Sequence, residues 1–240
     1  MKQVVKFFAR FLGLEIKRFS PASNHALQLL RCLEYLNIDL ILDVGANKGQ
    51  FGSEIRSMGY AKRIVSFEPL PQEHVILTRR TKSDPKWEAF DRGAIGSEDG
   101  MVVINVSANS VSSSILPIKR EHVNAAAESG YIGQEETPVR QLDTIVPDLL
   151  QGAKNVFLKI DTQGFEREVL RGGKNLLKDV TGILCELSMQ PLYEGQPLSD
   201  EMVVFFADQE FELWAIQPGF TDPKSGRTLQ FDGIFVRKGN

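Results

Sequence analysis

Twice in this chain an apolar run stops on an aspartate and a glycine follows within a few residues. The first is Leu40-Ile41-Leu42-Asp43-Val44-Gly45-Ala46-Asn47-Lys48-Gly49-Gln50; the second is Phe157-Leu158-Lys159-Ile160-Asp161-Thr162-Gln163-Gly164-Phe165-Glu166. Between them Arg63–Glu68 ends a further apolar run on a carboxylate, in the phrase Ser66-Phe67-Glu68-Pro69. Short apolar runs bounded by turn residues read as strands covered on both faces, and parallel sheets are built from such strands. Acids at the carboxyl ends of neighbouring parallel strands face the crevice where open α/β sheets bind ligands. Asp43, Glu68 and Asp161 are thus expected at one crevice.

The rest of the chain keeps the alternation. Asn24–Leu36 reads as a helix with Ala26, Leu29, Leu30 and Leu33 on one face and Ser23 as its cap. A crossover helix is predicted over Gly49–Met58, and Pro71 opens another over Gln72–Thr81. Strands are predicted at Trp87–Phe90, Met101–Val106, Asn155–Ile160 and Ile183–Leu187, and helices at Phe165–Arg171 and Asp200–Asp208, with Gly172-Gly173 stopping the former. Phe211–Gln217 and Phe231–Arg237 read as an antiparallel hairpin joined by the polar loop Pro218–Arg227.

The predicted class is therefore α/β: a doubly wound, mostly parallel, Rossmann-like sheet with an antiparallel C-terminal edge hairpin. Residues 1–37 are expected as a helical appendage and 38–240 as the main domain. Within it, residues 109–137 are rich in Ser, Ala, Glu and Gly and break the alternation. A loop of that length predicts a lid or substrate loop.

The glycines of the first run narrow the ligand. A dinucleotide fingerprint needs Gly at the first, third and sixth loop positions, where this chain has Gly45, Asn47 and Gln50. A P-loop needs Gly-Lys-Ser/Thr, but Gly49 is followed by Gln50 and Phe51. What remains is a close turn needing no phosphate cradle, with Glu68 able to accept from a ribose diol. That pattern, Asp-x-Gly-x-x-x-Gly, resembles the first motif of class I S-adenosylmethionine (SAM)-dependent methyltransferases.

The second run extends the resemblance. Together with Asp43–Gly49, Phe67-Glu68-Pro69, Ser110 with Ser112-Ser113-Ser114, Val139-Arg140-Gln141-Leu142-Asp143 and Glu186-Leu187-Ser188, it is similar to the FkbM family of SAM-dependent methyltransferases over roughly residues 38–188. Gln163 departs from that family's pattern, which has Glu before the glycine. The resemblance implies O-methylation of hydroxyl groups, on natural products or on sugars of bacterial glycans. It also implies that Asp43, Gly45, Ala46, Asn47 and Gly49 frame the methionine end of the cofactor while Glu68 holds the ribose. Asp91 and Ala94, just after the third strand, are expected beside the adenine.

Methyl transfer to a hydroxyl calls for a base or a metal. Asp161 is the first candidate base, at its strand end; His122, in the expected lid, is the second. Asp161, Glu186 and Asp232 all fall near strand ends and could converge on Mg²⁺, although no spacing demands a metal. The leading expectation is an O-methyltransferase of a sugar in glycan synthesis. A small secondary metabolite as acceptor, and a non-catalytic nucleotide-binding protein on the same fold, stay open beside it.

Net charge is −3 and no basic tract suggests nucleic acid. Cys32 and Cys185 stand far apart, and Cys185 lies in an apolar run, so a buried thiol and a cytoplasmic protein are expected. Met1–Phe19 is basic and amphipathic, with Val5, Phe8, Leu12, Ile16 and Phe19 at helical spacing and Lys2, Lys6, Arg10, Lys17 and Arg18 supplying charge. It is no secretory signal and is too short to span a bilayer. A helix docked on the domain or on a second subunit, as in a homodimer, is one expectation; peripheral attachment to the inner membrane face is the other.

Overall fold

A computed structural model describes residues 2–239. Ten strands follow in chain order: β1 (Leu40–Val44), β2 (Arg63–Phe67), β3 (Trp87–Ala89), β4 (Ala94–Ile95), β5 (Gly100–Ser107), β6 (Tyr131–Arg140), β7 (Val156–Ile160), β8 (Val180–Ser188), β9 (Phe211–Pro218) and β10 (Gln230–Arg237). The helices are α1 (Lys2–Phe11), α2 (His25–Tyr35), α3 (Gln50–Met58), α4 (Pro71–Thr81), α5 (Arg120–Ala125), α6 (Leu142–Leu150), α7 (Glu166–Arg171) and α8 (Ser199–Asp208). Seven strands form one sheet in the order β3-β2-β1-β7-β8-β10-β9, parallel through β8, with β10 antiparallel to both β8 and β9. This is the doubly wound, Rossmann-like sheet with its antiparallel edge hairpin.

All five residues of β1 and all five of β7 are buried. Alternation sends Leu40, Leu42 and Val44 into a core with Val146 of α6, Val169 of α7 and Phe206 of α8. Ile41 and Phe157 enter the opposite core with Leu29 and Leu33 of α2, Ile55 of α3 and Leu77 of α4. Helix α2 is thus part of the main core, so the boundary expected after residue 37 falls inside it. The winding reverses between β1, which is followed outward by β2, and β7, which is followed outward by β8. Their adjacent carboxyl ends make the topological switch point, where folds of this kind bind ligands.

Three expectations are corrected. Residues 109–137 are not one loop: they contain α5, and their last part is β6, which pairs with β4 and β5 in a three-stranded sheet. One face of β6 meets solvent, so Gln134 and Glu136 dilute the apolar signal without weakening the ladder. Helix α6 was not anticipated; it buries Leu142, Ile145, Val146 and Leu149 despite Pro147 in its interior. Finally, the N-terminal helix ends at Phe11 instead of running to Phe19. Gly13 takes φ +72°, its N–H bonds to Arg10 O at 3.0 Å, and Leu14 N–H reaches Ala9 O at 2.8 Å. These two bonds around a left-handed glycine form a Schellman cap. Met1 lies outside the described residues.

Candidate active site

A cavity of about 290 Å³ opens at the switch point, lined by the ends of β1, β2 and β7 and roofed by residues 110–115. Its floor begins at Gly45 (φ +78°) and Asn47 (φ +48°), which fold the chain sharply over the tip of β1. A Cβ on Gly45 would stand 1.9 Å from the carbonyl oxygen of Asp161. Only glycine fits, and what it admits is the neighbouring strand end.

Glu68 is held at the wall by two backbone donors. Asn47 N–H gives a 2.7 Å bond to Oε2 and Leu70 N–H a 2.8 Å bond to Oε1. Burial pushes its pKa up to about 7, with the two N–H groups pulling the other way. Each oxygen keeps an acceptor site. A fixed carboxylate with spare acceptor capacity, on a cleft near the lower end of the roughly 300–1,000 Å³ range for small ligands, fits a ribose diol. Gly45, Ala46, Asn47 and Ala94 share that lining.

Three residues expected at the cofactor lie elsewhere. Asp43 is fully buried beneath the cavity floor, where its Oδ2 accepts from Ser66 Oγ at 2.9 Å and its Oδ1 lies 3.1 Å from Lys159 Nζ. Lys159, its register partner on β7, covers it. Gly49 (φ +81°) backs onto Leu77 and Trp87, so its freedom serves helix packing. Asp91 is 81% exposed on its side chain, 3.9 Å from Arg140, and outside the cavity lining.

The opposite wall is β7 and its loop. Asp161 is partly exposed into the cavity, its Oδ1 accepting from Gln163 Nε2 at 2.9 Å and its Oδ2 lying 3.7 Å from Lys159 Nζ. Lys159, buried in β7, also donates to the Gly45 carbonyl at 2.9 Å. Burial opposes its charge, but Asp43 and Asp161 outweigh it and lift its pKa above the ordinary lysine value. Glu166 has a structural role, its Oε1 accepting from the N–H groups of Thr162 and Gly164 at 3.0 Å each. The serine run closes the roof: Asn47 Nδ2 donates to Ser110 Oγ at 3.2 Å, and Ser114 Oγ donates to Gln163 O at 2.7 Å. The roof is thereby tied to both walls.

A family model described as the methyltransferase FkbM domain matches residues 43–213. The chain belongs to the FkbM methyltransferase family. S-adenosylmethionine is the methyl donor that membership entails. Solved structures similar to this FkbM methyltransferase include the fibrillarin of Aeropyrum pernix with natively bound S-adenosyl-L-methionine, at 11% identity over 82% of this chain and 66% of that one, TM-score 0.46. An rRNA methylase of Streptococcus thermophilus matches at 11% identity, 92% and 98% coverage and TM-score 0.45. TehB of Haemophilus influenzae matches at 10%, 88% and 62%, TM-score 0.46. Among curated proteins, none matches.

In this FkbM methyltransferase the departure at Gln163 has a visible use. Its amide Nε2 donates to both Asp161 and Glu186 Oε2, the latter at 2.8 Å, and its Oε1 accepts from the Tyr193 hydroxyl at 2.7 Å. Gln230 Nε2 gives Glu186 Oε2 a second bond at 2.7 Å. Burial, with Asp161 and Asp232 nearby, raises the Glu186 pKa. Glu186 and Asp161 are therefore gathered as hydrogen-bond acceptors, with the Lys159 ammonium beside Asp161. Among the described residues no three His, Cys, Asp or Glu stand as a metal-binding group. The Gln163 and Gln230 amides and the Lys159 ammonium already engage these carboxylates.

His122 is a correction. It is buried, packed edge-on to the Tyr193 ring (5.2 Å) and tilted against Phe220 (5.3 Å), and outside the cavity lining. Burial holds its pKa down to about 4, and its Nδ1 has no hydrogen-bond partner among the described residues. An apolar pocket makes it a packing residue, and the second candidate base is withdrawn. Tyr193 and Gln230, which sequence reasoning missed, belong to no local motif. Cys32 and Cys185 are buried free thiols, Cys32 pushed up to about 12 by burial.

Proposed function

We propose that this FkbM methyltransferase is an O-methyltransferase acting on a sugar hydroxyl in bacterial glycan or polysaccharide synthesis. The observation that carries the reading is Asp161, a carboxylate open to the same cavity that Glu68 walls on the other side. The cofactor, when bound, supplies a sulfonium methyl group for in-line displacement. Glu68 holds the ribose, and Asp161 accepts the proton of the attacking hydroxyl. Lys159 keeps a positive charge beside Asp161, and the Gln163 amide fixes the direction of its carboxylate.

A sugar presents several hydroxyls, and the cavity offers Gln50, Ser113, Thr162 and Asp232 to meet them. The wall also carries Phe51, Val111, Ile115 and Phe165, which favour a second reading, an apolar secondary metabolite of polyketide type. Methyl-tritiated SAM offered with panels of nucleotide sugars, glycans and polyketides separates the two. Label in the sugar panel is expected. Label only in the polyketides selects the second reading. No transfer to any panel, with SAM binding intact, returns the chain to a nucleotide-binding role.

A further inference from the structure

Among the described residues the longest run of exposed large apolar side chains is the N-terminal one. Phe7, Phe8, Phe11, Leu12, Leu14, Ile16 and Phe19 are each 46–84% exposed, while Ala9 alone among residues 7–19 is buried. The domain therefore does not cover this segment, which removes the docked-helix expectation for a single chain. Phe7 and Phe11 lie one helical turn apart with Phe8 beside them, and the Schellman cap turns the chain out of the helix directly afterwards.

Charge selects the occupant. Residues 1–19 hold five Lys or Arg and one Glu, in a chain whose net charge is −3. Lys2, Lys6 and Arg10 recur every four residues in the sequence. Two copies meeting face to face through this segment would bring two strongly basic stretches together. A segment with exposed aromatic side chains and an excess of positive charge suits the boundary between anionic headgroups and acyl chains.

We infer that residues 2–19 dock this protein on an anionic lipid surface, with Phe7, Phe8 and Phe11 entering the acyl boundary and Arg10, Lys17 and Arg18 meeting headgroups. No helix among the described residues is long and apolar enough to cross a membrane, so attachment is peripheral. The segment leads into α2, whose first residues His25 and Ala26 border a second cleft of about 210 Å³. That cleft shares Phe51, Glu54, Leu184 and Asp232 with the main cavity, so docking brings the site's mouth close to the lipid.

The test is co-sedimentation of the full chain with vesicles of phosphatidylcholine alone and of phosphatidylcholine with phosphatidylglycerol. Pelleting is expected with the anionic vesicles only, and raised salt should release it. Removing one of Arg10, Lys17 or Arg18 should weaken binding about fivefold. The Phe7→Ser/Phe8→Ser/Phe11→Ser variant should lose vesicle binding while keeping SAM affinity by calorimetry, which shows it folded. Failure of the full chain to pellet with either vesicle overturns the proposal. So does a full chain that is dimeric in solution beside a monomeric triple variant, which makes the face a subunit contact. Neither readout depends on which acceptor the enzyme methylates.

Discussion

Lys159 and Asp43 are register partners on adjacent parallel strands, both buried, with Nζ and Oδ1 3.1 Å apart. The pair continues a polar row across the sheet: Ser66 donates to Asp43, and Trp87 Nε1 donates to Ser66 Oγ at 3.0 Å. The aspartate of β1 therefore neutralises the lysine of the neighbouring strand.

Lys159→Met leaves Asp43 an uncompensated buried charge, and Asp43→Ala leaves Lys159 only the more distant Asp161. Asp43→Ala or Lys159→Met alone should cost about 3–5 kcal/mol in urea unfolding. The double variant should recover most of that loss. Additive losses in the double-mutant cycle would show that the two residues are not coupled.

Glu68→Ala should weaken SAM binding about tenfold or more, since a hydrogen bond to a charged group is worth roughly 1.5–3 kcal/mol. It also strips an acceptor from the N–H groups of Asn47 and Leu70, so stability should fall as well. Calorimetry on the folded variant decides: unchanged affinity takes Glu68 out of the ribose role.

Asp161→Asn keeps the shape and removes the proton acceptor. The expected result is a fall in kcat of about 10²–10⁴ with SAM affinity within about threefold of wild type. A small effect on kcat would move the base elsewhere. Activity should also persist in a chelator; complete loss restored by Mg²⁺ would make Asp161, Glu186 and Asp232 ligands after all.

Asp232 faces Glu186 across β8 and β10, and its pKa is pushed up from 3.8 to about 7 by burial and by Asp161, against the pull of Lys159. Through that window the folded chain keeps a proton that the unfolded chain has released. Its contribution to stability therefore falls as pH rises from about 4 to about 7. Asp232→Asn should gain on wild type across the same window, by roughly 1–3 kcal/mol at pH 8, with no further change above it. A pH-independent difference between the two unfolding curves would count against this assignment.

The sheet was readable because β1, β2 and β7 carry their burial in their own sequence, and each ends in an acid at the switch point. Glu68 and Asp161 were found by that logic. Asp43 was misplaced by it, because strand endings show where a carboxylate sits along the chain but not which neighbour claims it. Lys159 does so only through the register of β1 with β7. His122 looked like a lid histidine because Phe220, which covers it, arrives from a loop nearly a hundred residues further on. Strand β6 escaped notice because its solvent face is polar. Tyr193 and Gln163 meet only in three dimensions, so no spacing could have paired them.

The approach of Gly45 to the Asp161 carbonyl leaves no slack between the turn at the tip of β1 and the loop that carries Asp161. Mechanically the two are one part, soldered at the tips of β1 and β7. A drift in either strand would carry both, so under the proposed mechanism the distance from methyl donor to proton acceptor is inherited from the sheet and is closed to tuning by loop length. Variation in acceptor must then be written where the joint does not reach, in the serine roof over residues 110–115 and in the cleft beside α2.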